Sequence, residues 1–122
     1  MGGKTPTVLI VDDEIEILSI LKELLQKRGY RVTTTGRGDK ALDLAKQNQY
    51  SIILADLKMP GFDGFKLVEA LQGFKPNARI IVMSGYGEQA SQELERFGIR
   101  NYFAKPLDFD SLLWTMNELI SQ

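Results

Sequence analysis

Two rhythms of apolar and polar positions alternate along the chain. The continuously apolar runs "TVLIV" (7–11), "SIILA" (51–55) and "ARIIVM" (78–83) read as strands covered on both faces. "YRVTTT" (30–35) and "RNYFA" (100–104) read as two weaker strands. Between them apolar residues recur at helical spacing. Ile17, Leu18, Leu21, Leu24 and Leu25 mark a first helix, closed by the late cations and glycine of "KRG" (27–29). "DKALDLAKQ" (39–47) predicts a second helix opening on an acid. The "KMPGFDG" turn (58–64) leads into a third, with Phe65, Val68 and Leu71 on one face. Ala90, Leu94 and Phe97 outline a thin fourth helix that stops at Gly98. "DFDSLLWTMNELI" (108–120) gives a fifth, with Asp108 as its N-cap. Five β/α units without linker, repeat or low-complexity segment predict an α/β fold, a doubly wound five-stranded parallel sheet with five helices.

In open sheets of this kind, ligands sit beyond the carboxyl ends of the strands. The residues just past those ends are Asp12 and Asp13, Asp56, Ser84 and Lys105. Taken singly they are unremarkable, because Asp12 or Asp13 suits a helix N-cap and an Asp after a strand suits a turn. Gathered on one edge they are not. Three crowded carboxylates cannot all stay ionised without a cation, and an oxygen-rich site suits a hard ion such as Mg²⁺. A hydroxyl and an ammonium complement a phosphoryl group, one by a hydrogen bond and one by charge.

Composition narrows the chemistry further. With 122 residues, 43% hydrophobic and 25% charged, the chain matches one ordinary globular domain. Its 15 Lys+Arg against 16 Asp+Glu create no field for direct nucleic-acid binding. No cysteine or histidine is present, which excludes disulfides, thiolate metal sites and any histidine base on this chain. No apolar run approaches a membrane span and no signal peptide opens the sequence, so a cytoplasmic protein without membrane insertion is expected. Residues 1–6, "MGGKTP", read as a tail before a domain over 7–122.

The motifs "VDDE" (11–14), "ADLKMPGFDG" (55–64), "MSGYG" (83–87) and "YFAKP" (102–106) together resemble the receiver domain of two-component response regulators, in its order and spacing. The resemblance implies the flavodoxin-like strand order 2-1-3-4-5. It implies that Asp56 accepts a phosphoryl group from a histidine kinase or histidine phosphotransfer protein, and that the domain catalyses only its own phosphorylation and dephosphorylation. Asp13, Asp56 and the backbone carbonyl of Lys58 would ligate Mg²⁺, with Mn²⁺ able to substitute, and Asp12 would act through a bound water. Ser84 and Lys105 would hold the phosphoryl oxygens, Gly85 would leave the loop room to move, and Tyr102 would rotate as Ser84 shifts. A cis bond is implied between Lys105 and Pro106. Lys58 and Tyr86 would flank the mouth and tune the lifetime of the phosphorylated state.

Rival readings lack their own signatures. A flavin-binding relative needs a phosphate cradle after the first strand, where this chain has "DDEIE". An aspartate-nucleophile phosphatase wants two Asp separated by one residue and a capping insert, and neither is present. On the last helix Phe109, Leu112, Leu113, Met116 and Ile120 form the apolar stripe, and Trp114 falls off it. An exposed Trp114 suits an interface, and the resemblance to receiver domains implies that the face of the fourth helix, fifth strand and fifth helix, fed by Tyr102, receives a second copy of the chain or a downstream output domain. The length leaves no room for an output domain, so a stand-alone regulator and a receiver excised from a longer protein both remain.

Overall fold

The computed structural model describes residues 5–59, 61–74, 78–85 and 88–121, apart from the side chains of residues 74 and 88–90. The elements run β1 (Thr7–Val11), α1 (Ile15–Lys27), β2 (Arg31–Thr35), α2 (Gly38–Gln47) and β3 (Ile52–Asp56). They continue β4 (Lys58–Met59), β5 (Phe62–Asp63), α3 (Gly64–Phe74), β6 (Arg79–Ser84), α4 (Glu88–Arg96), β7 (Asn101–Ala104) and α5 (Phe109–Ile120). Five strands form one parallel sheet in the order β2-β1-β3-β6-β7. Since β4 and β5 pair only with each other as a small antiparallel hairpin, this is the expected 2-1-3-4-5 order of the long strands.

The central strands are apolar from Val8 to Val11, Ile52 to Ala55 and Ile80 to Met83 because both faces are covered. Leu9, Val11, Ile53, Ala55, Ile80 and Val82 face one way, into a core closed by α2, α3 and α4. Val8, Ile10, Ile52, Leu54, Ile81 and Met83 face the other, into a core closed by α1 and α5. Each helix contributes one stripe: Leu21 and Leu25 from α1, and Leu112, Leu113 and Met116 from α5, are buried, while Phe109 and Ile120 are half-buried. On α3 the buried set is Leu67, Val68 and Leu71, with Phe65 half-buried, so the inward face is one residue wider than its spacing predicts. Leu94 is the buried anchor of α4. The side chain of Ala90 lies outside the described residues.

Stops and starts follow local chemistry. Gly29 and Gly98 take φ of 93° and 79° just past α1 and α4, a left-handed conformation that costs glycine little. Asp108 caps α5 as expected, accepting from the Ser111 amide. The start of α2 differs: Arg37 occupies the N-cap and Asp39 sits in the first turn, where its carboxylate pairs with the Arg37 guanidinium at 2.6 Å. Gly64 opens α3 against the Leu57 backbone, and any Cβ there would collide with it. The hairpin that precedes Gly64 is too short for either rhythm to betray it.

Candidate functional site

The parallel sheet brings all the strand-end residues to one edge. Asp12 follows β1 and is fully buried, its amide donating to the Thr35 carbonyl at 3.1 Å. Asp56 ends β3 at 3% exposure, and Ser84 ends β6 with no exposure. Asp13 lies exposed beside them. Asp12, Asp13 and Asp56 each offer a carboxylate oxygen, and these oxygens lie within 4.8 Å of one another. Neither Asp12 nor Asp13 caps α1: Glu14 takes the N-cap position, and Asp12 Oδ1 accepts from the Glu14 amide at 2.9 Å.

Lys105 reaches into these acids from the end of β7. Its Nζ donates to Asp12 Oδ2 at 2.7 Å, to Glu14 Oε1 at 2.6 Å and to Asp56 Oδ2 at 3.2 Å. The Lys105–Pro106 peptide is cis, as the "AKP" motif implies. The Lys105 amide and the Tyr102 hydroxyl both donate to the Ser84 carbonyl, at 2.9 Å and 3.2 Å, so half-buried Tyr102 is tied to the end of β6. Asp56 Oδ1 accepts from the Lys58 amide at 3.0 Å, which fixes the carboxylate against the first residue of the hairpin.

The electrostatics follow from this crowding. Burial pushes the Asp56 carboxyl above its ordinary range, and the Asp12 charge adds to the rise against the pull of the Lys58 amide and Lys105. Burial by itself would lower the Lys105 ammonium. The hydrogen bonds to Asp12 and Glu14, with the charges of Asp12 and Asp56, outweigh that and hold it above the usual lysine range. The edge therefore sets the Lys105 ammonium among several carboxylates, all oxygen donors of the kind a hard divalent ion prefers. A groove of about 630 Å³ opens beside them, lined in part by Asp13, Glu14, Lys58, Phe62 and Phe65.

Other residues stand around this edge. Glu14 was not singled out by the sequence, although it is the fourth letter of "VDDE"; its role depends on Lys105, which lies 91 positions away. Gly85 has open space where a Cβ would stand, so packing does not itself demand glycine there. Tyr86 lies outside the described residues. Lys58 is exposed at the rim, and Trp114 is 66% exposed on the outer side of α5.

Comparison with known proteins agrees with this geometry. The profile of the response regulator receiver domain family matches residues 8–117. The chain is 36% identical over 106 residues to sporulation initiation phosphotransferase F of Bacillus subtilis, covering 86% of each. It is 32% identical over 122 residues to the transcriptional regulatory protein ZraR of Klebsiella oxytoca, covering 99% of this chain but only 28% of that protein. Among solved structures, a CheY-like receiver domain protein of Methanospirillum hungatei superposes with a TM-score of 0.91 at 28% identity, covering 97% of this chain and 96% of the other. Response regulator TrrA of Thermotoga maritima, solved with Mg²⁺ and BeF, gives 0.84 at 31% identity, covering 93% and 98%. From the profile match across nearly the whole chain, and from acids, hydroxyl and lysine on one sheet edge, the chain belongs to the response regulator receiver domain family, the phosphoacceptor domains of two-component signalling.

Proposed function

We propose that Asp56 is the phosphoacceptor of this domain and that its donor is a histidine kinase or a histidine phosphotransfer protein. The observation that carries the assignment is the aim of Lys105 at Asp56: a carboxylate at the mouth of the sheet, buried, with the Lys105 ammonium beside it. In the reaction an Asp56 oxygen attacks phosphorus, the P–N bond of the donor breaks, and its electron pair leaves on the imidazole nitrogen. Such transfers depend on positioning and charge neutralisation more than on covalent help. The Lys58 amide orients one Asp56 oxygen and leaves the other to react. Lys105 then donates to one phosphoryl oxygen and Ser84 to another, and Gly85 has no side chain to obstruct the phosphoryl group's approach.

Asp13, Asp56 and the Lys58 carbonyl hold Mg²⁺ in this reading, with Asp12 acting through water and Mn²⁺ able to take its place; the clustering of three carboxylate oxygens fits such an ion. When bound, the ion neutralises the repulsion between an anionic acceptor and an anionic donor. The domain catalyses its own phosphorylation and dephosphorylation, and Lys58 and Tyr86 tune the lifetime of the acyl phosphate. The output is a population shift. Tyr102, bonded to the Ser84 carbonyl, follows Ser84 toward the phosphate, and the face of α4, β7 and α5 carrying Trp114 meets a second copy or an output domain. A cytoplasmic location, as a domain over residues 7–122, follows from the same reading.

Incubation with acetyl phosphate and Mg²⁺, followed by intact mass measurement, tests the assignment. One phosphoryl group should appear on the wild type and none on Asp56→Asn. Labelling that survives in Asp56→Asn would place the acceptor elsewhere.

A further inference from the structure

We infer that Gly38 and Phe62 are positioning residues: the Phe62 ring, seated in the hollow that Gly38 leaves at the start of α2, holds the β4–β5 hairpin so that the Lys58 backbone faces Asp56. The inference rests on the reading of the Lys58 carbonyl as a Mg²⁺ ligand. Lys58 is the first residue of the hairpin, and its amide bonds to Asp56 Oδ1 at 3.0 Å. Across the hairpin Lys58 pairs with Asp63 and Met59 with Phe62, so the ring and the Lys58 backbone belong to one small unit. Two paired strands alone are marginal in water, so such a unit stays where its neighbours hold it.

The neighbours hold it at both ends. At the root the Leu57 amide donates to the Met83 carbonyl at 3.1 Å, and Gly64 lies against the Leu57 backbone. At the far end a Cβ on Gly38 would overlap Cγ, Cδ1 and Cε1 of Phe62. Gly38 is buried and is not one of the glycines with left-handed φ, so α2 needs glycine there for space and not for conformation. Flipping the ring does not clear the overlap, because Cγ lies on the flip axis. A larger residue at 38 must push the hairpin away from α2 or turn the ring out of its hollow. Either way the hairpin loses its hold on α2, while Asp56 stays fixed in the sheet by its pairing with Met83. Close packing passes such a displacement on instead of absorbing it.

Mg²⁺ is titrated by calorimetry into wild type, Gly38→Ala, Phe62→Ala and the double variant, with urea melts giving the stability of each. Both single variants should bind Mg²⁺ about three- to tenfold more weakly, up to the low end of the cost of disturbing what supports a metal ligand. In the double variant Gly38→Ala should add little to the loss, because the ring it displaces is already gone. Leu25→Ala, in the core on the other side of the sheet, should lower the urea midpoint and leave Mg²⁺ affinity unchanged. An equal loss of affinity there would reduce the effect to general destabilisation and overturn the inference. If Gly38→Ala does not fold, Phe62→Ala decides alone. Unchanged affinity in Phe62→Ala would show that Leu57, Met59 and Gly64 hold the hairpin unaided, and would overturn the inference as well. So would a Gly38→Ala loss that is undiminished in the double variant, which would trace it to Gly36 beside the Asp12 and Asp13 backbone and not to the ring. A wild type that binds no Mg²⁺ would instead overturn the metal reading, and the inference with it.

Discussion

Leu54 and Asp56 lie two residues apart on β3, on the same side of the strand and almost equally buried, yet they do opposite things. Leu54 packs into the core between the sheet, α1 and α5, where removal of its surface from water stabilises the fold. Asp56 is withdrawn from water beside another carboxylate, and its raised pKa records that the ionised form is disfavoured there. The interior of the sheet gains stability from burial and its carboxyl edge loses some to it, within a span of three residues. A third region, the Arg37–Asp39 pair at the start of α2, shows what charge does when nothing is asked of it. Its 2.6 Å contact is as short as those of Lys105, but both partners are largely in solvent.

Truncation in the interior should give the largest effect. Leu54→Ala is expected to cost about 2–5 kcal/mol, the range for emptying a buried leucine site. Urea denaturation should show a lower midpoint with little change in slope; a loss well below that range would mean the core collapses around the gap.

At the edge the sign should reverse. In metal-free protein with chelator present, Asp56→Asn should raise Tm by a few degrees near neutral pH. The pH dependence fixes the cause. A carboxyl whose folded pKa is raised costs stability only where it is ionised, so the penalty is absent below its ordinary value of 3.8, grows as pH rises past it, and is complete above the folded pKa. The advantage of Asp56→Asn should therefore fade as pH is lowered toward that value. An advantage constant with pH would show that something other than ionisation sets it.

The exposed pair should matter least. Asp39→Ala is expected to leave Tm essentially unchanged, and any small effect should disappear in high salt. What holds this corner is packing: the Phe62 ring lies where a Cβ at Gly38 would stand. A substantial loss in Asp39→Ala would erase the contrast between this pair and the Lys105 cluster.

These contrasts also explain what could be read from the residues alone. Strands β1, β3 and β6 were legible because burial on both faces makes each of them apolar over four consecutive positions. The parallel order then carried Asp12, Asp13, Asp56, Ser84 and Lys105 to one edge, and the exposure of Trp114 followed from helical spacing on α5. The β4–β5 hairpin was not legible, since two-residue strands have no period, and Met59 is buried although it sits in what reads as a turn. The hold of Glu14 on Lys105 was not legible either, because it joins opposite ends of the chain and leaves no local pattern.

The central claim is that the buried, disfavoured charge at the end of β3 exists to be phosphorylated. Borohydride reduction of the acyl phosphate, followed by peptide mass mapping, tests it most directly, since only an aspartyl phosphate is converted to homoserine. After treatment with acetyl phosphate and Mg²⁺, the account predicts homoserine at position 56 and at no other aspartate. Homoserine at position 12 or 13, or none anywhere in protein that has gained a phosphoryl group, would contradict it.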